Sequence, residues 1–521
     1  MTQAELISAE VPIEKLDCLS RDELVQFLKL EQGYRIRLER EVKRLRALNE
    51  ELEQRSMFLE DQHVVIKNKV FGKSSEKADV AAGSAAPSHP AAKSAGKKVR
   101  LQLPSERYPD APLIERDVEL EAMPGCRCCG AEMEDSGLTE DAEYLTVIPE
   151  QYLVIRQKRH KYRCGKCHGD LVTAPSPPRI KPGSAYSDEL MVDVAMTKYC
   201  DLVPIERYAA IAERAGMDGL PPQSLIESTH YLADFIMPAY DKLRSEILAS
   251  RVLHADETPH RMLEGDKRSS WFLWGFSTTK ASYFECHATR SGDVAHRLLD
   301  ASNCRYLVSD VYSGYGRAVK LTNVSREELG RERVLSVYCN AHARRRFKEA
   351  SERFPDDAKF FLEIYQRIYQ REGDLKGKPP DEVHRVRTEE IAPLFEELRA
   401  RAFLLLPSFP EKSSLGRAIS YLLENWAGLT LFLRHPELPV DNNPQERLLR
   451  NPVIGRKTWY GTHSKRGAET AAVLFSLVES CKLNQVNPRL YMKALVSDLH
   501  RGIPPYTPAE FKTRATAVKT G

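Results

Sequence analysis

The stretch from Arg251 to Cys339 constrains the fold more than any other part of this 521-residue chain. Three runs rich in aromatic and β-branched residues come first, "RVLHADET", "SSWFLWGFST" and "ASYFECHA", and they predict three strands in a meander. A segment with helical spacing follows, "SGDVAHRLLDAS", and then two more strand-like runs, "CRYLVSD" and "VLSVYC". This order of elements predicts a mixed α/β domain.

Two of the predicted strands carry acids near their ends, Asp256 on the first and Asp310 on the fourth. The order of elements suits the ribonuclease-H-like fold, in which the first and fourth strands lie side by side. We therefore expect the two carboxylates to be close, which raises one pKa unless a cation is present. Mg²⁺ prefers such oxygen ligands, and a pair of these ions supports in-line phosphoryl displacement. Glu257 is expected on the opposite strand face, anchoring a turn at Thr258-Pro259.

A third acid usually completes such a site, and "DNNPQERLLRNPVIGRKTW" supplies the candidate Glu446. Asn443 is predicted to cap a helix whose first position is Pro444. Glu446 could instead belong to a capping box that only satisfies a backbone amide, and Asp441 is an alternative metal ligand. Nearby cations favour the catalytic interpretation, because a phosphate-handling site needs them. They are Arg447, Arg450, Arg456 and Lys457.

The 11 cysteines include two CxxC pairs, in "CRCCG" and in "CGKCHG". Four thiolates in two such pairs are typical of tetrahedral zinc, although their separation exceeds the roughly 15–20 residues usual for such sites. The run between the pairs alternates like paired strands, which predicts a zinc ribbon; unmetallated buried cysteines are the alternative. The predicted zinc ligands are Cys126, Cys129, Cys164 and Cys167, with Cys128 and His168 as competing ligands.

Leucines recur every seven residues near the N-terminus, as at the d positions of a coiled coil. Asn49 falls at an a position, where a buried Asn fixes the register of a parallel pair. We expect residues 19–72 to form this coil and to dimerise; a single amphipathic helix packed on its own chain is the alternative. Residues 73–104 are rich in Ala, Ser, Gly, Pro and Lys and predict a flexible linker. The leucines are Leu38, Leu45, Leu52 and Leu59.

Length and composition bound the remaining organisation. A chain of this length needs several cores, and a net charge of only +3 means that nucleic-acid contacts must come from local patches. No apolar run reaches the roughly 18 residues that cross a bilayer, no signal peptide is apparent, and the scattered cysteines indicate a reducing cytoplasm. The predicted parts are a zinc-binding module at 105–180, a helical region at 184–250, a core at 251–475 with a helical insertion at about 354–432, and a small C-terminal domain at 476–521. The helical region is either a helix-turn-helix that reads DNA or a plain helical connector.

The segments "HADETP", "VSDVYSGY", "CNAHARRRF" and "DNNPQERLLR" resemble, in order and spacing, the DDE transposases of the insertion-sequence-66 family. "FGKSSEK", the twin cysteine pairs and "NQVNPRLYMKAL" extend the resemblance over nearly the whole chain. The resemblance implies that Asp256, Asp310 and Glu446 are a catalytic triad that binds Mg²⁺ or Mn²⁺. It also implies that Cys339 and His342 lie near the active site, or else have only structural roles. His254 is expected to orient a ligand, contact DNA or be a satisfied structural histidine.

The function that the resemblance implies is DNA transposition. Such a protein binds the terminal inverted repeats of its element, hydrolyses a phosphodiester there and joins the freed 3′-hydroxyl to target DNA. We expect it in the bacterial cytoplasm at the nucleoid, as a homo-oligomer, with element-encoded accessory proteins as further candidate partners. Two alternatives are a ribonuclease-H-like nuclease or resolvase, and a catalytically inactive, zinc-dependent DNA-binding regulator.

Overall fold

A computed structural model of the chain describes parts of residues 20–48, and residues 103–107, 128, 143, 151–163, 171–263 and 270–520. The chain divides into two compact units. The smaller unit comprises residues 74–157 and 214–217. Its described residues include one helical turn, Pro104–Arg107, in which the amide and the hydroxyl of Ser105 both donate to the Glu143 carboxylate, at 2.8 and 2.9 Å.

The N-terminal residues that the structure describes are helical, and residues 38–48 form a continuous stretch of helix. Leu38, Val42 and Leu45 are exposed along it. The predicted heptad positions from Asn49 to Leu59, and the predicted linker up to residue 102, lie outside the described residues. The coiled coil therefore stays a prediction.

Two short strands flank the second CxxC pair. They are β1 (Lys161–Arg163) and β2 (Leu171–Thr173), and they pair antiparallel. The prediction of paired strands between the two cysteine pairs is wrong for residues 151–160, which form no strand. Leu153, Val154 and Ile155 are exposed there, so no packing holds an extended ladder. The four predicted zinc ligands and His168 lie outside the described residues, and Cys128 is exposed in a turn.

Residues 188–249 form four helices before the main sheet, and two of them bracket the glycine-containing turn of the predicted helix-turn-helix. The second helix of that pair is largely buried, and His230 on it bonds Thr470 at 2.7 Å. Its outer face carries Glu227 and Asp234, both ion-paired with Arg466, and such acids repel DNA phosphates. These observations favour the helical connector. The helices are α1 (Asp188–Tyr199), α2 (Ile205–Arg214), α3 (Pro222–Phe235) and α4 (Met237–Ala249).

A five-stranded sheet forms the centre of the larger unit, in the order β5-β4-β3-β6-β7. β4 is antiparallel to both β3 and β5, whereas β6 is parallel to β3 and to β7. The first and fourth strands of this sheet are thus neighbours, as predicted. The strands are β3 (Val252–Arg261), β4 (Ser270–Ser277), β5 (Ser282–His287), β6 (Tyr306–Ser309) and β7 (Leu335–Tyr338), with α5 (Asp293–Ala301) and α6 (Ser313–Glu328) between them.

The first strand is longer than its sequence suggests. The predicted turn at Thr258-Pro259 is wrong, because β3 stays paired with β4 as far as Arg261 opposite Ser270. β6 pairs only with Val252–His254, so the far half of β3 has no strand on that side. Proline is tolerated at such an edge because its missing N–H interrupts no ladder there.

The two faces of the sheet belong to different hydrophobic clusters. Leu307 of β6 lies in a cluster with α1, α3, α4 and the C-terminal helices, whereas its neighbour Val308 packs against the helices inserted after β7. The segment predicted as an insertion, at about 354–432, is mainly helical in the structure, and Phe361 and Phe395 are part of its buried core. The inserted elements are α7 (Asn340–Ala350), α8 (Pro355–Asp374), α9 (Pro380–Val386), a π-helical turn (Arg387–Ile391), α10 (Ala392–Leu405), a 3-10 turn (Leu406–Ser408), α11 (Ser414–Glu424), α12 (Trp426–Thr430) and a 3-10 turn (Leu431–Arg434).

The C-terminal helices pack with the core. The predicted domain boundary at residues 475–476 falls inside a continuous helix, whose Ser476 and Ser480 hydroxyls accept the N–H groups of Phe284 and Ser282 on the edge strand β5, at 2.8 and 2.9 Å. The prediction of a separate small domain is therefore wrong at this boundary. No helix within the described residues is long and apolar enough to span a membrane. The last helices are α13 (Asn443–Trp459), α14 (Lys465–Leu483), α15 (Pro488–His500) and α16 (Pro508–Thr520).

Candidate active site

Asp256 and Asp310 lie on neighbouring parallel strands. Asp256 is two residues beyond His254, which is opposite Val308, and Asp310 directly follows β6. Each carboxylate accepts one nearby backbone N–H, Asp256 from Glu257 at 2.9 Å and Asp310 from Tyr312 at 3.0 Å. Burial raises the pKa of Asp256 well above its usual range, and the charges of Glu257, Asp310 and Glu446 raise it further.

Glu446 is in the first turn of α13, but the start of that helix differs from the prediction by one residue. Asn442 is the N-cap, and Asn443 is already helical because its amide N–H and its side-chain amide both donate to Asp441, at 3.0 and 2.6 Å. The predicted capping box therefore does not form. Asp441 holds the helix start, whereas Glu446 Oε1 is buried without a hydrogen-bond partner among the described residues.

Asn442 ties the start of α13 to the strand that carries Asp256. Its side-chain amide donates to the Ala255 carbonyl at 2.9 Å, and its Oδ1 is 2.8 Å from His254 Nδ1. Its backbone N–H donates to the Cys339 thiol at 3.2 Å. His254 is thus a buried histidine with a protein partner, which was one of the alternatives considered for it. No local sequence pattern pointed to Asn442, since its partners are far away along the chain.

In the structure Cys339 and His342 lie beside Glu446. One ligand atom from each of the three residues lies within 4.8 Å of the others. His342 Nδ1 is 3.7 Å from Glu446 Oε1, close enough for attraction if the imidazole is protonated. Burial raises the pKa of the Cys339 thiol to about 12, and the thiol already accepts the Asn442 N–H. These contacts give Cys339 a positioning role at the helix start.

Glu257 belongs to the site, contrary to its expected role at a turn. Its carboxylate is buried, with 2% of the side chain exposed. Arg290 lies 2.6 Å from Oε1, and the Tyr315 hydroxyl donates to Oε2 at 2.5 Å. Burial raises the pKa of Glu257, while Tyr315 and Arg290 partly oppose this effect. Sequence reasoning missed Arg290 and Tyr315; the position of Tyr315 near the start of a helix after Asp310 was the available signal.

Cations surround the acidic centre. Arg345 on α7 is 3.8 Å from Glu446 Oε2, and Arg456 reaches Thr258 at 3.5 Å. Arg456 is half-buried, whereas the three other predicted phosphate-binding residues on α13 are exposed, where a polyanion can reach them. They are Arg447, Arg450 and Lys457. The arrangement can bind cations at its centre and phosphates at its rim.

Comparison with known proteins supports a single family. Two uncharacterized proteins of Sinorhizobium fredii (strain NBRC 101917 / NGR234) are similar to this chain. The protein y4hP is 28% identical over 404 residues, which cover 73% of this chain and 71% of y4hP. The protein y4jD is 27% identical over 389 residues, which cover 72% of this chain and 75% of y4jD. The profile described as "Transposase IS66 family" matches residues 183–470, more than half of the chain, including all three acids. The chain therefore belongs to the IS66 family of transposases.

Proposed function

We propose that this chain is a DDE-type DNA transposase in which Asp256, Asp310 and Glu446 bind the catalytic metal ions. Membership of the family supports a transposase, with DNA as its partner and a divalent metal as its cofactor. The sheet order, with one antiparallel strand beside the first, supports a ribonuclease-H-like core. One observation carries the proposal: Asp256 is half-buried, and the charges of both Asp310 and Glu446 help to raise its pKa.

The donor set fits Mg²⁺ or Mn²⁺. All three acids offer oxygen ligands, which these hard cations prefer. Glu446 Oε1 is buried without a hydrogen-bond partner among the described residues, and a cation would satisfy it. A cation would also relieve the repulsion that raises the pKa of Asp256. When bound, the metal ions supply activation of the attacking oxygen and stabilisation of the leaving oxygen in an in-line displacement.

The other tasks of the site are metal binding, positioning of Glu446 and phosphate binding, and different side chains carry them. Asp256 and Asp310 provide the ligands on the rigid sheet, and Asn442 positions the helix that carries Glu446. Arg345 and the exposed arginines of α13 would bind the phosphates that flank the cleaved bond. In the first step water breaks a phosphodiester at the element end and releases a 3′-hydroxyl. In the second step that hydroxyl attacks a target phosphodiester, so one bond forms as one breaks.

The N-terminal parts would bind the terminal inverted repeats and join two copies of the chain. The exposed Leu38, Val42 and Leu45 support pairing through a coiled coil. The hairpin of β1 and β2 around the second CxxC pair supports a zinc-binding module with Cys126, Cys129, Cys164 and Cys167. We place the protein at the bacterial nucleoid, with element-encoded accessory proteins as additional candidate partners.

The test is cleavage and strand transfer in Mg²⁺ by an Asp310→Asn variant, on DNA that carries the inverted repeats flanking the coding sequence. We expect a loss of at least roughly 100-fold, as for other groups that stabilise charge in a transition state. DNA binding and the midpoint of unfolding should stay near those of the native chain. Asp293→Asn changes an exposed acid at the start of α5 and is the matched control.

Full activity in the Asp310→Asn variant would contradict the assignment of the triad. Cleavage of random or branched duplex as readily as of inverted repeats would indicate a nuclease or resolvase instead. Specific binding by the native chain without any cleavage would indicate a regulator that has lost catalysis.

A further inference from the structure

Tyr460, the residue that ends α13, has a backbone conformation unusual for a large side chain. Its φ of 64° and ψ of 9° lie in the left-handed region, which glycine or asparagine normally occupies at the end of a helix. Such a conformation is unfavourable for a residue with a Cβ atom and persists only where the surroundings impose it. The Tyr460 side chain is nevertheless 69% exposed, so packing of its own ring does not explain the conformation.

The residues on both sides of Tyr460 are fixed to the core. Before it, the Trp459 ring packs edge-on against Tyr199 with centroids 6.1 Å apart, and Lys198 Nζ is 5.3 Å from the Trp459 centroid. After it, Thr462 N–H donates to the Arg261 carbonyl at 3.0 Å. This double attachment holds Tyr460 in one place on the surface.

Gly461 explains why Tyr460, and not the following residue, adopts the left-handed conformation that ends the helix. It has a φ of 111°, and a Cβ atom there would collide with the Arg261 carbonyl, so only glycine allows the chain to approach the end of β3. The helix must therefore end one residue earlier, in the left-handed conformation at Tyr460. The result is an aromatic ring that is displayed to solvent on a rigid backbone.

The same side of α13 presents cations between the acidic centre and this ring. Arg447, Arg450 and Lys457 are exposed at helical spacings of three and seven residues, so they lie on one face. At about 1.5 Å per residue, the helix from Glu446 to Trp459 is roughly 20 Å long. This length corresponds to about six nucleotides of one DNA strand.

We propose that the Tyr460 ring stacks on an unpaired nucleobase of a DNA strand that follows the exposed face of α13. This inference rests on the proposed function. Stacking needs a free base face, and in a duplex both faces of a base are covered, so the ligand is an unpaired or flipped base. Protein interfaces are depleted in lysine, so the exposed Lys457, one helical turn before Tyr460, favours a nucleic acid over a protein partner.

The test compares the full chain and two variants on two DNA probes. One probe is a duplex with a single-stranded extension of about six nucleotides that contains 2-aminopurine, and the other is the same sequence fully paired. Tyr460→Asn removes the ring but tolerates the left-handed backbone, whereas Tyr460→Phe keeps the ring. Stacking on the ring should quench the 2-aminopurine emission.

We expect Tyr460→Asn to weaken binding of the extended probe roughly 5- to 150-fold, the worth of one stacked base, and to restore the emission. Its affinity for the paired probe should change less than about twofold, as for an exposed substitution away from the contact. Tyr460→Phe should match the native chain on both probes. Tyr460→Gly, which also relieves the backbone, should behave like Tyr460→Asn.

Three results would overturn the inference. Equal binding of the extended probe by the native chain and the Tyr460→Asn variant would show that the ring contacts no base. A change in oligomeric state with unchanged binding of the extended probe would assign the ring to a contact between copies. Equal losses on both probes in Tyr460→Asn and Tyr460→Gly would indicate a structural role. If the native chain binds neither probe, the proposed function itself is contradicted.

Discussion

We expect His260 to make the stability of the folded core depend on pH. It lies near the end of β3 with 6% of its surface exposed, and its Nε2 is 3.0 Å from the Thr462 hydroxyl. Burial, assisted by the charge of Arg456, lowers the pKa of His260 from 6.5 to about 4. The folded chain therefore stays unprotonated at this position at pH values where the unfolded chain already binds a proton.

The sign and the size of the effect follow from proton linkage. As the pH falls below 6.5, His260 becomes protonated in the unfolded state, but in the folded state it stays neutral until about pH 4. The free energy of unfolding therefore decreases over this range. Each tenfold difference in proton affinity corresponds to about 1.4 kcal/mol. Relative to pH 7, the titration of His260 therefore lowers the free energy of unfolding by about 2 kcal/mol at pH 5 and by about 3 kcal/mol at pH 4.

The assay is denaturant unfolding followed by tryptophan fluorescence between pH 7 and pH 4, for the native chain and for His260→Gln. Other groups titrate in the same range, and they cancel when the two proteins are compared at each pH. We expect the native chain to lose about 2 kcal/mol more than the variant between pH 7 and pH 5. Parallel stability curves, or a steeper loss in the variant, would refute the reasoning.

Two further predictions concern the helix start and the oligomer. Asn442→Ala leaves the Ala255 carbonyl and the His254 ring without their partner, so the free energy of unfolding should fall by roughly 2–6 kcal/mol; a loss below that of Asn443→Ala, measured by denaturant unfolding, would contradict this. Leu45→Lys places a charge in the predicted seam, so analytical ultracentrifugation should show a dimer dissociation constant raised about tenfold or more, with an exposed Arg44→Lys change as control; a dimer as tight as the native one would argue against the coil.

The central pair of acids could be predicted because it depends on strand order alone. Three strands, a helix and a fourth strand place Asp256 and Asp310 side by side, and β3 and β6 do pair in parallel. Glu446 was identified from its cationic surroundings and its helical context, which are also local features of the sequence. Local patterns are therefore sufficient to locate the acids.

The contacts around the acids could not be predicted, because their partners are distant in sequence. Asn442 forms hydrogen bonds with Ala255 and His254, which are 187 and 188 positions away from it along the chain. No local sequence pattern predicts such contacts. Glu257 was taken as a turn residue because Pro259 follows it, whereas continued pairing with β4 keeps it in a strand. Its partners Arg290 and Tyr315 come from a loop and a helix whose positions only the folded sheet defines.

The helical insertion begins and ends at the same point in space. The Asn340 side chain donates to the Val440 carbonyl at 3.0 Å although 100 positions separate them, and the Asn442 N–H donates to Cys339. The two ends of the insertion are held together by these hydrogen bonds. The entropic cost of closing such a loop grows only slowly with its length, so a longer insertion would destabilise the fold little. An insertion of another size that still covered Val308 and Val337 would leave Glu446 in place. Evolution can therefore exchange this segment for another of different size without moving the three acids.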